Sequence, residues 1–146
     1  MFIGDVLTSG ALPSLEATLR FAGERHRLIA HNIANLSTPN FRQQDVAPAT
    51  FQKALARAID TRRATSGGMI GELSIDGARQ IAFGQDGRLT LNPTEPARGV
   101  LFHDRNNRDV ERLMQDHAEN AGVYRIAADL LRSRYSQLKE AIAERV

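Results

Sequence analysis

Apolar residues recur with heptad spacing near both ends of the chain, in alternating steps of three and four. This period of 3.5 residues keeps a narrow apolar seam turned towards a neighbouring helix over a long distance. The N-terminal seam comprises Leu12, Leu15, Leu19, Ala22, His26, Ile29, Ile33 and Leu36. The C-terminal seam comprises Val110, Met114, His117, Ala121, Tyr124, Ala128, Leu131, Tyr135, Leu138 and Ile142. We therefore predict a mainly α fold in which two long terminal helices form an antiparallel coiled-coil hairpin.

The ends of the first helix are marked by residues that start or stop helices. Pro is tolerated in a first turn, so the helix should begin around Pro13 or Ser14. Pro39 disfavours helical backbone in the residue before it, and Asn40 tolerates a left-handed conformation. We expect the helix to end near Leu36.

The second long helix should start at an asparagine cap and run almost to the C-terminus. Asn106 or Asn107 is a suitable N-cap, Asp109 favours the first turn, and the pattern continues to about Ala143. Further apolar residues flank the two seams and widen the apolar face beyond a strict heptad stripe. They are Phe21, Leu28, Met114, Ile126 and Leu130. A two-helix hairpin would leave these flanks uncovered, which predicts further partners.

Between the long helices the pattern changes character. Thr50 is a plausible N-cap for a short helix with Phe51, Leu55 and Ile59 on one face.

Beyond that helix, two short apolar runs at 81–83 and 89–91 flank an Asp-Gly pair at 86–87, which is typical of a β-hairpin. An isolated hairpin is marginally stable in water, so we expect this insert to be mobile or docked on a neighbour. The predicted units are residues 1–42, the N-terminal helix and turn, residues 43–105, the short helix and β-rich insert, and residues 106–146, the C-terminal helix.

Composition limits the chemistry that the chain can perform. It has no Cys, which rules out disulfides and thiolate metal sites. The serines are in no Gly-x-Ser-x-Gly elbow, the HExxH pattern is absent, and the carboxylates form no evident pair in a cleft. His26 and His117 are interpreted as polar seam positions that fix register. We therefore expect no enzyme activity, metal or cofactor, and a hydrolase with paired carboxylates is disfavoured.

Charge leaves one alternative open. Seventeen of the nineteen basic residues are Arg, although the net charge is only +2. Pairs and clusters such as Arg62-Arg63 and Arg105, Arg108 and Arg112 could contact phosphates or a protein partner. The alternative hypothesis is therefore an Arg-rich coiled-coil module that binds nucleic acid.

The turn after the first helix carries a distinctive motif. Residues 31–42, HNIANLSTPNFR, resemble the N-terminal signature of bacterial flagellar rod, hook and hook-associated proteins, approximately A-N-N-I-A-N-x-x-T-P-G-Y. The matching positions are Asn32, Ile33, Ala34, Asn35, Thr38 and Pro39. The departures are His31, Asn40 in place of the usual Gly, and Phe41 in place of the usual Tyr. The stretches at 106–111, 118–124 and 130–131 are similar to the proximal rod members of that family.

This resemblance implies a structural subunit of the flagellar basal-body rod, the periplasmic drive shaft that transmits torque. It implies partners of four kinds: other copies and other rod subunits, the adaptor at the base of the rod, the membrane ring, and the flagellar type III export apparatus. It implies export without a cleaved signal, and residues 1–12 contain no basic and apolar signal pattern. Small-molecule substrates and nucleic acid are not expected.

Two sets of residues are expected to carry this role. The subunit-packing seam is Leu12, Leu15, Leu19, Ile29, Ile33, Leu36, Val110, Tyr124, Leu131, Tyr135, Leu138 and Ile142. The turn motif is Asn32, Asn35, Thr38, Pro39, Asn40 and Phe41.

Overall fold

The computed structural model describes residues 9–68, 70–71, 73–75, 79–84, 88–95 and 109–143. In these ranges the chain forms three helices, α1 (Leu12–Ala34), α2 (Pro48–Ser66) and α3 (Val110–Ala143). Two short strands, β1 (Ile81–Phe83) and β2 (Leu89–Leu91), lie between α2 and α3. The fold is mainly α, as the heptad pattern predicts.

The two terminal helices pack against each other in antiparallel orientation, as predicted. Glu16, near the start of α1, is bonded to Tyr135, near the end of α3. Further along α1, the Ala22 carbonyl lies opposite Asn120 of α3. Helix α1 also contacts β2 and α2, so it is the central element of the described fold.

Helix α1 begins and ends close to the positions predicted from Pro13 and Pro39. Pro13 lies in its first turn, and the last helical residue is Ala34, two residues before the expected end. Asn40 has a φ of 59°, the left-handed conformation predicted for it. The chain can therefore reverse direction immediately after the helix.

Helix α3 begins at an aspartate cap. The Oδ1 of Asp109 accepts a hydrogen bond from the Arg112 backbone N–H at 3.0 Å, and its carbonyl accepts one from the Leu113 N–H at 3.2 Å. This carboxylate also complements the partial positive charge of the helix N-terminus. Asn106 and Asn107, the caps predicted from the sequence, lie outside the described residues. The helix extends to Ala143, which is also the last residue that the structure describes.

The prediction that Thr50 caps α2 is wrong. The helix begins at Pro48, and Ala47 before it is extended. Pro is common at the first position of a helix because its fixed φ matches the helical value. It also has no N–H, and a backbone N–H at this position would have no acceptor within the helix. The buried face of α2 consists of Phe51, Ala54, Ala58 and Arg62.

The two strands form the predicted hairpin. They pair antiparallel, with Ile81 opposite Leu91 and Phe83 opposite Leu89. The predicted turn at Asp86-Gly87 lies outside the described residues. Ile81 and Leu89 are buried, and β2 contacts α1 of the same chain. The hairpin thus docks within its own chain, because α1 offers it an apolar face.

The core beneath the hairpin is centred on two stacked aromatic rings, one from α1 and one from α2. Phe21 of α1 and Phe51 of α2 stack almost parallel, with ring centroids 4.2 Å apart. The core comprises Ala17, Phe21, Val46, Phe51, Ala54, Ala58, Ile75, Ile81 and Leu89. Leu28 packs against this cluster. The expectation that Phe21 and Leu28 would be uncovered is therefore wrong, because α2 and the hairpin cover that side of α1.

Candidate functional site

The turn after α1 is held by a buried side chain. Asn32 is only 2% exposed, and its amide makes two bonds to one backbone unit. Its Nδ2 donates to the Gln44 carbonyl at 2.7 Å, and its Oδ1 accepts from the Gln44 N–H at 3.1 Å. This pairing imitates one rung of a β-ladder. It fixes the returning segment against the last turns of α1.

The rest of the turn motif closes the helix end. Asn35 donates through Nδ2 to the His31 carbonyl at 2.9 Å, and Thr38 donates through Oγ1 to Asn35 Oδ1 at 3.2 Å. The ring of Phe41 meets that of His31 edge to face, with centroids 5.4 Å apart. Pro39 and Asn40 are exposed at the tip. The motif therefore sets the direction of the chain after α1 through local bonds.

Replacing Asn32 by Ala should lower the free energy of unfolding by about 2 kcal/mol, because both Gln44 backbone groups lose their bonds to the buried amide. Urea unfolding followed by the helical circular dichroism signal would measure the change. Asn35→Ala is the matched control, since it also removes an amide from the motif but at a more exposed position. Equal losses in the two variants would contradict the special role given to Asn32.

A buried arginine joins three parts of the chain. The side chain of Arg25 in α1 is 3% exposed. It forms a two-point bond to Asp45, with Nε to Oδ1 at 3.1 Å and Nη2 to Oδ2 at 2.9 Å. Its Nη2 also donates to Asp116 Oδ1 in α3 at 3.1 Å. Asp45 is itself fixed by a two-bond antiparallel bridge to Thr94.

The charges around Arg25 keep it ionised. Burial opposes its charge, but the hydrogen bonds and attraction of Asp45, followed by those of Asp116, outweigh burial and raise the pKa of Arg25. Arg112, one turn before Asp116 in α3, lies 3.7 Å from the same carboxylate. Arg25 was not identified from the sequence. Its position in the sequence could have indicated that Arg25 is buried. It lies three residues after Ala22 and four before Ile29, on the buried side of α1.

Polar contacts also fix the register of α1 against α3. The buried Asn120 donates through Nδ2 to the Ala22 carbonyl at 2.8 Å. The rings of His26 and His117 lie against each other, with centroids 5.0 Å apart. Near the other end of the pair, the Tyr135 hydroxyl donates to Glu16 at 2.8 Å, and this bond, with burial, raises the pKa of Tyr135.

The N-terminal seam is mostly covered within the chain. Leu12, Ala22 and Ile29 are buried, whereas His26 is exposed. The remaining seam residues, all half-buried, are Leu15, Leu19, Ile33 and Leu36.

On α3 the residues turned towards α1 are offset from the predicted seam. Its buried residues are Leu113, Asn120 and Ala127, one position before Met114, Ala121 and Ala128. The predicted stripe therefore missed the centre of the face, because Asn120 is polar and was not counted as an interior position. Val110, Met114, Tyr124 and Ile142 are exposed. Leu131, Tyr135 and Leu138 are half-buried.

A second apolar stripe runs along the side of α3. Val123, Ile126 and Leu130 are 46%, 63% and 50% exposed, and their spacing of three and four places them on one face. We call this set the α3 stripe. Large exposed apolar side chains arranged contiguously are typical of interaction surfaces.

An open groove lies on the opposite side of α3, between α3, α1 and β2. Its apolar floor includes Leu19, Leu89, Ala121, Tyr124 and Ala128. Five arginines line it, namely Arg20, Arg27, Arg88, Arg125 and Arg132. Its acidic lining residues are Glu24 and Asp129, which pair with Arg27 and Arg132. We call this surface the arginine groove.

Two kinds of site are not found in the part of the chain that the structure describes. None of its helices is long and apolar enough to span a membrane. Across the same residues, no group of three or more His, Asp or Glu side chains is placed to hold a metal ion.

Comparisons with known proteins agree on one kind of relative, although no family model matches the chain. The flagellar basal body rod protein FlgB of Borrelia hermsii is 29% identical over 110 residues, which cover 73% of this chain and 76% of the relative. FlgB of Yersinia ruckeri is 27% identical over 129 residues, covering 84% and 85%. FlgB of Yersinia enterocolitica is 29% identical over 122 residues, covering 79% and 80%. The resemblance indicated by the turn motif thus extends over most of the chain, and it is to the flagellar basal body rod proteins, most of all to FlgB.

Proposed function

We propose that this chain is a structural subunit of the flagellar basal-body rod, and that it assembles by side-to-side packing of its long helices. The observation that carries the proposal is the surface of α3. One face of this 34-residue helix packs on α1, while the α3 stripe remains about half exposed on another face. A helix with two apolar faces, one of which stays half exposed among the described residues, favours a role in an assembly.

In the assembled rod, the exposed seam residues would form contacts between subunits. Seam residues that the chain leaves exposed, such as Val110, Tyr124 and Ile142, would contact neighbouring subunits. Burying each of these apolar side chains contributes about 1.5–3 kcal/mol. Many such contacts, repeated around a periplasmic tube, would make a shaft stiff enough to transmit torque. The turn motif would fix the angle of the segment that follows α1.

The partners proposed are other copies, other rod subunits, and the adaptor and membrane ring at the base of the rod. The subunits would reach the periplasm through the flagellar type III export apparatus without cleavage of a signal peptide. Support comes from the names of the relatives, each a flagellar basal body rod protein. A catalytic reaction is not part of the proposal.

The direct test is the location of the protein in the cell. In a bacterium that carries the gene, deletion should abolish swimming and leave basal bodies without a rod. Tagged chain supplied in trans should restore both and copurify with intact basal bodies. A frameshifted copy of the same gene is the matched control. Basal bodies that lack the tagged chain, in cells that swim normally without it, would rule the proposal out.

A further inference from the structure

The structure brings together two histidines that are far apart in the sequence. His26 of α1 and His117 of α3 lie ring against ring, with centroids 5.0 Å apart and planes inclined at 45°. Neither ring is hydrogen-bonded to another residue in the part of the chain that the structure describes. A neutral imidazole keeps one nitrogen with a free lone pair and is the commonest metal ligand among side chains. The pair therefore offers two nitrogen ligands, one from each long helix.

The separation of the rings suits a shared metal ion. With zinc about 2.0–2.1 Å from each nitrogen, and a ring radius of about 1.15 Å, two imidazoles on one tetrahedral ion have their centroids about 5.2 Å apart. The observed separation is 5.0 Å. The two helices are thus already spaced for both rings to bind one ion.

Hydrogen bonds on both sides of the pair hold the helices at this spacing. One residue before each histidine, Arg25 donates to Asp116 at 3.1 Å. One turn further along the helix pair, Asn120 donates to the Ala22 carbonyl at 2.8 Å. Both bonds join α1 to α3, so they oppose sliding of one helix past the other. Ligands carried on rigid elements with such support are kept in place before an ion arrives.

The arginines beside the pair in α1 are compensated by carboxylates, which lowers the repulsion that a dication would meet. Arg25 lies between Asp45 and Asp116, at 2.9 Å and 3.1 Å. Arg27 pairs with Glu24 at 3.0 Å. Opposite charges this close cancel most of each other's field at a distance.

The arginine groove gives an ion access without placing its α3 arginines at the pair. His26 lines the end of this groove and is exposed, so an ion can reach it from solvent. Along α3 the nearest arginine of the groove is Arg125, eight residues after His117. Eight residues correspond to about 12 Å of helix. Salt largely screens exposed charges at this distance, because the screening length is about 8 Å at physiological ionic strength.

We propose that His26 and His117 form a binding site for a divalent transition metal ion, best suited to Zn²⁺, which would join α1 to α3. Water would complete the tetrahedral coordination, since no third His, Asp or Glu among the described residues is placed with the pair. Imidazole ligands favour Zn²⁺, Ni²⁺ and Cu²⁺ over Mg²⁺, which prefers oxygen. With two protein ligands, binding should be reversible and weaker than at a closed structural zinc site. The inference goes beyond the proposed function and does not rest on it.

The first experiment follows thermal unfolding of the full-length chain by circular dichroism, with and without added metal. Zn²⁺ at about a hundred times its Kd should raise Tm by about 5 °C or more, because the ion binds the folded pair and not the unfolded chain. His26→Ala and His117→Ala should each remove most of this rise. Mg²⁺ should produce none.

His31→Ala is the matched control for these variants. His31 is an exposed histidine on the same helix, but its ring lies against Phe41 and outside the pair. The His31→Ala chain should therefore keep the full rise in Tm with Zn²⁺. The proposal is overturned if Zn²⁺ raises Tm equally in His26→Ala and the unmodified chain, or if Mg²⁺ raises it as much as Zn²⁺ does.

Calorimetric titration of the folded chain with Zn²⁺ tests the site without unfolding. One ion per chain is expected, and His26→Ala should raise Kd about tenfold or more. Without metal, this variant should keep the helical signal of the unmodified chain, because the side chain that it removes is exposed. Binding that strengthens with chain concentration would place the ion between two copies. Either that result or no binding to the unmodified chain would overturn the proposal.

Discussion

Replacing Phe51 by Ala is expected to lower the free energy of unfolding by about 3–4 kcal/mol, the largest effect of any truncation considered. The ring is 3% exposed and stacks on Phe21 at 4.2 Å, so its removal takes away the main contact between α2 and α1. Truncating a buried Phe costs both its transfer free energy and the cavity that it leaves. Urea unfolding of dilute chain, followed by the helical circular dichroism signal, would measure the loss.

Leu130→Ala is the control for this variant. It also truncates a large apolar side chain on a helix, but at a position that is half exposed, so its cost should stay below about 1 kcal/mol. Similar effects of Phe51→Ala and Leu130→Ala in dilute chain would mean that the middle segment does not dock on α1 in solution. The insert would then be mobile or docked on a neighbour, as the sequence predicted.

The heptad pattern was sufficient to predict the antiparallel helix pair because burial along a long helix follows its 3.5-residue period. The hairpin strands were also predictable, since a turn signal separates two short apolar runs. The docking of that hairpin was not. Its partner surface, centred on Phe21 of α1 and Phe51 of α2, is formed by residues far apart in sequence, and periodicity does not report such contacts.

A second limit explains the buried residues that were missed on α1 and α3. A search for apolar residues passes over a buried Asn120 and a buried Arg25, although both lie on the interior sides of their helices. Their polar atoms are satisfied by partners on other elements, such as the Ala22 carbonyl and Asp45. Buried polar groups are almost always bonded, but a sequence does not reveal to what.

The sequence predicted that both long helices need partners outside the hairpin, whereas the structure leaves large exposed apolar side chains mainly on α3. Helix α1 is enclosed by α2, the hairpin and α3, so its apolar seam is largely covered within the chain. Helix α3 packs on α1 through one face and presents Val123, Ile126 and Leu130 on another. Assembly should therefore depend more on substitutions along α3 than on those along α1. Stability of the monomer should show the opposite dependence.

The second large effect is expected at Arg25. Replacing it by Met should cost about 3 kcal/mol of unfolding free energy, because Asp45 and Asp116 would lose the buried guanidinium that they share, although Arg112 would stay 3.7 Å from Asp116. The side chains of these carboxylates are only 17% and 23% exposed, so water compensates them in part. The loss should appear in urea unfolding, with α3 separating from α1.

The matched control is Arg27→Met, two positions along the same helix. The side chain of Arg27 is 78% exposed and pairs with Glu24, so its removal should change stability by less than about 1 kcal/mol. Because the pKa of Arg25 is raised in the folded chain, its contribution is complete below the pKa of the unfolded side chain and is lost only as strongly alkaline pH passes the folded value. Titration of Arg25 itself should therefore leave the difference between the two variants unchanged from mildly acidic to mildly alkaline pH. An Arg25→Met chain as stable as Arg27→Met would show that the junction of α1, α3 and the segment after the turn is held by apolar packing and not by this ion pair.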